Sequence, residues 1–274
     1  MALLDFVKML RPVNCLMAAL GTFIGYSIAL GKIDPCFNIG IAMVVAFLVC
    51  GGGMAINDYF DLAIDKKQHE KKALASGRIK PIVALVYSKL LFLAGIVVAF
   101  LYLPAMAFGI ALSFSILLVA YSRFLGKAKY LGNWVVASGT AFTLVFGASL
   151  IGNYAVVSWL ALAALFANLA RELVKDIEDL AVDKGFKKSL PMILGKKKTL
   201  WFVFLYYLIA VAAVYIPAFL YRFNSLYFLA LVTVANVVFV ASFGRARKEK
   251  FASAQKLSKA GMLVALIGFI VGVV

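Results

Sequence analysis

Histidine, cysteine and acidic residues are scarce in this sequence, and their scarcity limits the chemistry that it can support. The 274 residues include one histidine, His69, and three cysteines, Cys15, Cys36 and Cys50. A single histidine excludes metal centres that need several imidazole ligands and argues against a histidine proton relay. No two cysteines stand at the CxxC spacing of zinc or redox sites. We therefore expect the cysteines to be small buried apolar residues.

Charged residues are also few: they make up 15% of the sequence, whereas 65% of the residues are apolar. A typical soluble domain is about half apolar and about a quarter charged. So large an apolar fraction cannot be buried in one compact soluble core of this size. Nine apolar segments, most of them close to the roughly 20 residues that a spanning helix needs, occupy residues 12–30, 39–57, 82–102, 104–121, 132–151, 155–173, 199–220, 225–244 and 258–274.

The segments predict an all-α, polytopic membrane protein, in which residues 1–274 form a single domain of nine transmembrane helices around a central cavity. The formal net charge is +16, and all the basic residues except Lys32, Lys89 and Arg222 lie at the N-terminus, in the long connections or at the adjoining span ends. The positive-inside rule then assigns the N-terminus and the long connections to the cytoplasm. No zinc-ligand spacing or aromatic–basic RNA motif accompanies the charge, so we expect no nucleic-acid partner.

Eight of the twelve acidic residues fall in two clusters, each at the polar end of an apolar segment. Both clusters contain aspartates at i, i+3 and i+7, which would lie within an arc of about 60° on a continuous helix. The aspartates are Asp58, Asp61 and Asp65 in the first cluster, and Asp176, Asp179 and Asp183 in the second.

Three carboxylates on one helix face repel one another unless a cation neutralises them. Oxygen-only clusters select hard divalent cations, and Mg²⁺ in phosphate sites is usually held by one or two carboxylates. We therefore expect the clusters to face a shared cavity and to bind Mg²⁺ with a diphosphate. Merely solvated helix ends are the alternative, which the repeated spacing disfavours. Nearby cations would contact phosphate oxygens: Lys66, Lys72, Arg78, Lys127, Lys175, Lys187 and Lys188.

These residues resemble the UbiA family of intramembrane prenyltransferases, and the resemblance covers essentially the whole chain. Residues 57–65 match the family motif NDxxDxxxD, and residues 176–183 match DxxDxxxD. Two positions depart from the family pattern. Lys72-Ala73 stands where Arg-Pro is common, and Lys127 lies six positions beyond Tyr121 instead of four. Further matches are Arg11-Pro12 with Asn14, residues 74–79, Tyr121-Ser122 followed by Gly132-Asn133, and Leu190-Pro191 with Gly195.

The resemblance implies an enzyme that binds a prenyl diphosphate and Mg²⁺ at the cytoplasmic face and holds the prenyl tail in an apolar cavity. Ionisation gives an allylic cation, and an acceptor hydroxyl attacks its C1 atom while water is excluded. The proton of the acceptor would pass to Asp58, Tyr121 or the released diphosphate. The implied catalytic residues are Asp58, Asp61, Asp176, Asp179 and Tyr121, the metal ligands are the six aspartates, and Asn57 joins the cations above in binding the diphosphate.

Within the family, residues 171–183 are most similar to archaeal enzymes that transfer a geranylgeranyl group to the free hydroxyl of geranylgeranylglyceryl phosphate. An aromatic prenyltransferase of quinone biosynthesis is the alternative, because it needs the same metals and the same ionisation. A CDP-alcohol phosphotransferase would carry all its acids in one segment, and a transporter site would lie near the bilayer midplane on broken helices. Both therefore fit less well. The expected partners are the two substrates and the bilayer, without an obligate protein partner.

Overall fold

The computed structural model describes residues 3–68, 72–125, 128–183, 185, 187–223 and 225–273, with twelve α-helices and no β-strand in these ranges. His69 and Lys127 lie outside the described residues. The helices are α1 (Leu3–Leu10), α2 (Pro12–Leu30), α3 (Phe37–Phe60), α4 (Leu62–Gln68), α5 (Pro81–Tyr102), α6 (Ala105–Ala120), α7 (Lys129–Ala148), α8 (Ala155–Glu178), α9 (Leu180–Asp183), α10 (Leu190–Leu220), α11 (Leu226–Arg247) and α12 (Phe251–Val271). A π-helical turn, Tyr121–Leu125, extends α6.

Nine helices in the described ranges are long and apolar enough to cross a membrane, which confirms the predicted fold class. They are α2, α3, α5, α6 with its π-helical extension, α7, α8, α10, α11 and α12. Two of them begin well before their apolar segments: α10 begins at Leu190 instead of residue 199, and α12 begins at Phe251 instead of residue 258. The first turns of α12 are polar, but a helix needs only its backbone hydrogen bonds to continue there. In α10, a kink at Gly195, with φ 80° and ψ 160°, separates the first residues from the spanning part.

Residue contacts divide the chain into two compact units, and the division falls inside α2. The first unit comprises Met1–Phe23 and Pro35–Gly126, and the second comprises Ile24–Asp34 and Lys127–Val274. Each unit has its own buried apolar core. In the first, α1, the end of α3, residues 72–80 and the start of α5 pack around Met9, Ala55 and Ile79.

The glycine run 51–53 allows close helix packing within the first unit. A Cβ atom on Gly52 would lie 3.1 Å from the ring of Phe92, and a Cβ atom on Gly53 would lie 2.9 Å from a methyl group of Leu118. The hydroxyl of Ser88 donates to the carbonyl oxygen of Gly52 at 3.0 Å. Small residues at helix contacts let the backbones approach, as is common in membrane bundles. The run therefore fixes the position of α3, whose end carries the first aspartate motif.

The second unit contains α7 to α12, and small and apolar side chains fill most of its core. A buried polar network ties three of these helices together. The hydroxyl of Tyr207 donates to Ser258 at 3.0 Å and lies 3.2 Å from the hydroxyl of Ser242. Ser242 in turn donates to the carbonyl oxygen of Ala254 at 2.8 Å. Because the network satisfies its polar groups away from water, it stabilises α10, α11 and α12 as one bundle.

Candidate active site

The middle aspartate of each motif ends a long helix. Asp61 follows α3 with φ −85° and ψ 4°, and Asp179 follows α8 with φ −80° and ψ 1°. The expectation of one continuous helix through each motif is therefore wrong. The backbone N–H groups of Asp65 and Asp183 still donate to the backbone carbonyl oxygens of Asp61 and Asp179, both at 2.9 Å. The helical i+4 register is therefore kept across the break. Closely stacked like charges destabilise a regular helix, which accounts for a break at this place.

Two cations neutralise the first motif. The guanidinium of Arg11 donates to Oδ1 of Asp58 at 2.7 Å. The ammonium of Lys72 lies 3.3 Å from the same oxygen and 2.7 Å from Oδ2 of Asp65. Asp58 and Asp65 are both buried, with 6% of each residue exposed. Burying a charge is costly unless it is paired, so these contacts are what allow the two carboxylates to lie inside the fold.

Arg11 owes its position to an unusual backbone turn between α1 and α2. Its φ angle is +52°, in the left-handed region that residues with a Cβ atom rarely adopt. Its backbone N–H donates to the carbonyl oxygen of Lys8 at 3.2 Å. The sequence marked Arg11 only as a family match and gave it no role. Its place as a lone cation directly before the first span was the signal that could have singled it out.

A second ion pair holds the first turn of α1. Nε of Arg78 donates to Oδ1 of Asp5 at 3.2 Å, and Asp5 is buried. The aromatic side chain of Phe6 packs edge-on against Tyr87 at a centroid distance of 5.1 Å. Arg78, which we expected to contact phosphate, thus also fixes α1 beside the loop that carries Lys72. Asp5 was missed because it stands alone, outside both acidic clusters.

Asp61, the middle aspartate of the first motif, is held from its own helix. Nδ2 of Asn57 donates to Oδ2 of Asp61 at 3.1 Å. Asn57 lies one turn before Asp61, and the backbone N–H of Asp61 donates to the backbone carbonyl oxygen of Asn57 at 2.9 Å. The asparagine of the NDxxDxxxD motif therefore orients the carboxylate that ends α3.

Within the second unit, the first aspartate of the second motif is completely buried. Asp176 has 0% of its surface exposed, and its Oδ2 accepts a hydrogen bond of 2.7 Å from Nδ2 of Asn133 on α7. One turn earlier, Glu172 is also buried and pairs with its neighbour Arg171. Nε of Arg171 donates to Asn168 at 3.0 Å. A neutral amide thus donates to the first aspartate of this motif, and an ion pair lies one turn before it.

The remaining predicted residues are divided between the two units. Lys66 is exposed on α4, and Lys175 is exposed on α8. Lys188 is exposed and Lys187 is half-buried in the segment after α9, where the backbone of Lys188 forms an isolated bridge with Ala128. Tyr121 is half-buried at the start of the π-helical turn. Lys127 lies outside the described residues.

The donor set of the first motif fits a cation that is shared with a phosphate. In the described parts of the chain, no three histidine, cysteine or acidic side chains gather closely enough to hold a metal ion without other ligands. Asp58 and Asp65, however, converge on one positive group, the Lys72 ammonium. Mg²⁺ in phosphate sites commonly takes one or two carboxylates and completes its coordination with phosphate oxygens and water. The pair therefore suits Mg²⁺ bound together with a phosphate group.

A sequence profile described as the UbiA prenyltransferase family matches residues 18–267. The chain belongs to the UbiA prenyltransferase family. A digeranylgeranylglyceryl phosphate synthase of Thermococcus kodakarensis is 34% identical over 97% of this chain and 96% of the relative. One of Methanosarcina mazei is 35% identical over 98% of both chains. The predicted family is thus confirmed along nearly the full length.

Solved structures support the same UbiA fold. A structure described as digeranylgeranylglyceryl phosphate synthase superimposes with a TM-score of 0.84 at 30% identity, and it covers 99% of this chain and 98% of the other. A UbiA homologue of Archaeoglobus fulgidus, bound to DMAPP and Mg²⁺, gives a TM-score of 0.70 at 15% identity, with 97% and 99% of the two chains covered. At that identity the likeness concerns the fold alone.

Proposed function

We propose that this UbiA protein transfers a geranylgeranyl group from its diphosphate to the free hydroxyl of geranylgeranylglyceryl phosphate. The new bond is an ether, and the product is a precursor of archaeal membrane phospholipids. The observation that carries the proposal is the full-length similarity, at 34% and 35% identity, to two digeranylgeranylglyceryl phosphate synthases. Both aspartate motifs lie within the matched length, so the similarity includes the residues that would perform the chemistry.

The aspartates are proposed to serve as ligands of Mg²⁺, namely Asp58, Asp61 and Asp65 in one unit and Asp176, Asp179 and Asp183 in the other. Bound Mg²⁺ would stabilise the negative charge that develops on the diphosphate leaving group. A structure of the A. fulgidus homologue holds GPP together with Mg²⁺, which supports this choice of metal. Asn57 orients Asp61, Asn133 orients Asp176, and both are proposed to keep the carboxylates aimed for binding.

The proposed reaction breaks the bond between C1 of the donor and the diphosphate oxygen, and the electron pair leaves with the diphosphate. The acceptor hydroxyl then forms a bond to C1 and loses its proton to the released diphosphate, to Asp58 or to Tyr121. The basic side chains bind the diphosphate oxygens: Lys66, Lys72, Arg78, Lys127, Lys175, Lys187 and Lys188. Charge-assisted hydrogen bonds of this kind are shorter and stronger than neutral ones.

The membrane orientation is proposed from the distribution of charge. The connection after α3 and the connection after α8 follow the two aspartate motifs and carry many of the basic residues. The positive-inside rule places these connections, and with them the N-terminus, in the cytoplasm. A water-soluble diphosphate head would then bind at that face, while the apolar tails of donor and acceptor remain in the bilayer. No protein partner is needed for this arrangement.

An acceptor competition assay tests the proposal. The purified protein in liposomes is given labelled geranylgeranyl diphosphate, Mg²⁺, geranylgeranylglyceryl phosphate and an aromatic quinone precursor together. We expect the labelled product to be the ether lipid, formed only with Mg²⁺, and we expect Asp61→Ala to lose it. A prenylated aromatic product would instead establish the quinone-pathway alternative. No Mg²⁺-dependent product, with Asp61→Ala equal to the unmodified protein, would reject a prenyltransferase of either kind.

A further inference from the structure

A single ammonium group lies between two buried carboxylates of the first motif. Nζ of Lys72 is 3.3 Å from Oδ1 of Asp58 and 2.7 Å from Oδ2 of Asp65. The two aspartates belong to α3 and α4, on either side of the helix break, and only Lys72 contacts both of them among the ion pairs of the described residues. The lysine thus takes the position between the two carboxylates that a shared metal ion would need.

Lys72 is suited to leave this position, whereas Arg11 is not. The Lys72 side chain is 31% exposed, and its ammonium is a compact charge at the end of a flexible stem. Within the described ranges, the ion pair of Arg11 is with Asp58 alone, and it forms from a turn with a left-handed backbone conformation. If the lysine leaves while a divalent cation is bound, Asp58 and Asp65 remain neutralised. The two carboxylates can therefore stay buried while either Lys72 or the divalent cation is bound, but their burial would be costly without a cation.

We propose that Lys72 is a positioning residue that competes with the divalent metal for Asp58 and Asp65 and exchanges these carboxylates for a diphosphate oxygen when substrate binds. This inference rests on the proposed function, since it assumes a metal–diphosphate substrate. The exchange makes metal binding at the first motif depend on the diphosphate, because the diphosphate supplies the negative charge that the displaced ammonium then contacts. The free protein consequently binds the metal weakly, and the metal and the prenyl diphosphate enter together.

The kind of side chain at this position agrees with the exchange. An arginine would bind a carboxylate through a rigid planar fork, whereas a lysine forms single, freely rotating contacts. Lys72 is half-buried, and 31% of its side chain is exposed, so its stem has room to rotate. A lysine therefore lowers the cost of switching between carboxylate and phosphate partners.

The test measures Mn²⁺ binding without turnover, using electron paramagnetic resonance to follow free Mn²⁺. Inorganic pyrophosphate is the second ligand, and the Mn²⁺ that it complexes without protein is measured separately and subtracted. In the unmodified protein we expect Mn²⁺ to bind weakly when it is added alone. With pyrophosphate we expect it to bind at least about 10-fold more tightly, which is the size of effect that one charged hydrogen bond gives. In Lys72→Met we expect Mn²⁺ alone to bind about 10-fold more tightly than to the unmodified protein, with a smaller further gain from pyrophosphate.

Lys80→Met is the matched control, because Lys80 is an exposed lysine of the same connection with no part in the site. It should bind Mn²⁺ as the unmodified protein does. Lys72→Gln is the second variant, since its amide can still donate to the carboxylates if the methionine variant does not fold. A lysine with only a structural role would leave Mn²⁺ affinity unchanged or lower it, so tighter binding is specific to competition.

The proposal is overturned if both Lys72 variants bind Mn²⁺ alone no more tightly than Lys80→Met. It is also overturned if the unmodified protein binds Mn²⁺ equally well with and without pyrophosphate, a measurement that needs no variant. Neither result bears on the transferase activity, which the product assay decides separately. If the product assay fails but Lys72 still competes with Mn²⁺, the proposed exchange stands and the proposed reaction is wrong.

Discussion

The two aspartate motifs have the same spacing in the sequence, but their first aspartates contact different kinds of side chain. In the first unit, Asp58 and Asp65 pair with two cations from distant segments, Arg11 and Lys72. In the second unit, Asp176 is completely buried and accepts a hydrogen bond from the neutral amide of Asn133. Identical spacing therefore does not mean an identical electrostatic environment. In the first motif two basic side chains pair with the carboxylates, whereas in the second a neutral amide donates to the first carboxylate.

The difference follows from where the cations are placed along the chain. The left-handed turn at Arg11 and the loop that contains Lys72 bring positive groups to the end of α3. On α8, Arg171 pairs with the next residue, Glu172, which lies one turn before Asp176. This ion pair forms within one helix, whereas the ion pairs of Asp58 join separate segments of the chain. The metal affinity of the two motifs should differ accordingly.

The largest expected effect is on turnover, and it should be the same for both motifs. Asp58→Asn and Asp176→Asn each remove a proposed metal ligand while keeping the size of the side chain. We expect each to lower the rate of ether formation by at least about 100-fold, a loss typical of groups that stabilise developing charge. The measurement is single-turnover product formation at saturating Mg²⁺. A variant that keeps full activity would show that its motif does not act in the reaction.

The second prediction concerns the free energy of unfolding, and here the motifs should differ. Asp58→Asn leaves Arg11 without its carboxylate partner and leaves Lys72 with Asp65 alone. We expect a loss of about 2 kcal/mol, less than for a fully buried pair because both cations are partly exposed. Asp176→Asn keeps an amide oxygen that can accept the hydrogen bond from Asn133, so we expect the smaller loss, of about 1 kcal/mol. Unfolding in mixed detergent micelles measures both. Equal losses would contradict the contrast between charged and neutral partners.

The third prediction isolates the backbone of Arg11 from its charge. Arg11→Gly and Arg11→Ala both remove the guanidinium, but only glycine adopts a φ angle of +52° without strain. We expect the glycine variant to be about 1 kcal/mol more stable than the alanine variant, because a left-handed conformation costs roughly that much for a residue with a Cβ atom. Thermal unfolding of the two variants side by side gives the difference. If alanine is the more stable, the turn does not fix Arg11 as described.

Much of the fold could be predicted from the sequence, because the bilayer imposes a simple rule. A span needs a long apolar run, and all nine runs were visible in composition alone. The starts of α10 and α12 were placed too late, since the helical residues of α10 before the kink at Gly195 lie outside its long apolar run and the first turns of α12 are polar. Spacing also identified the acidic positions of the motifs, but the assumption of a regular helix hid the breaks at Asp61 and Asp179.

The partners of the aspartates could not be predicted in the same way. Arg11 precedes Asp58 by 47 positions, and Asn133 precedes Asp176 by 43. Contacts over such separations depend on helix packing, which local spacing does not specify. Lys72 was expected to contact phosphate, and its place between two carboxylates depends on the path of a loop. Spacing in the sequence indicated which residues could bind a metal ion. The tertiary structure determines which basic side chains pair with those residues when no metal ion is bound.

The smallest expected effect comes from the ion pair of Asp5 and Arg78, which lies outside both motifs. Arg78 is 46% exposed at its side chain, so water and salt screen the attraction. We expect Asp5→Asn to change the free energy of unfolding by less than about 1 kcal/mol and to leave turnover within about twofold. The measurement compares unfolding and product formation at low and high salt. A large loss of turnover would mean that α1 positions Arg78 or Arg11 for the reaction, and the contrast between the motifs would then extend to the helix before the first span.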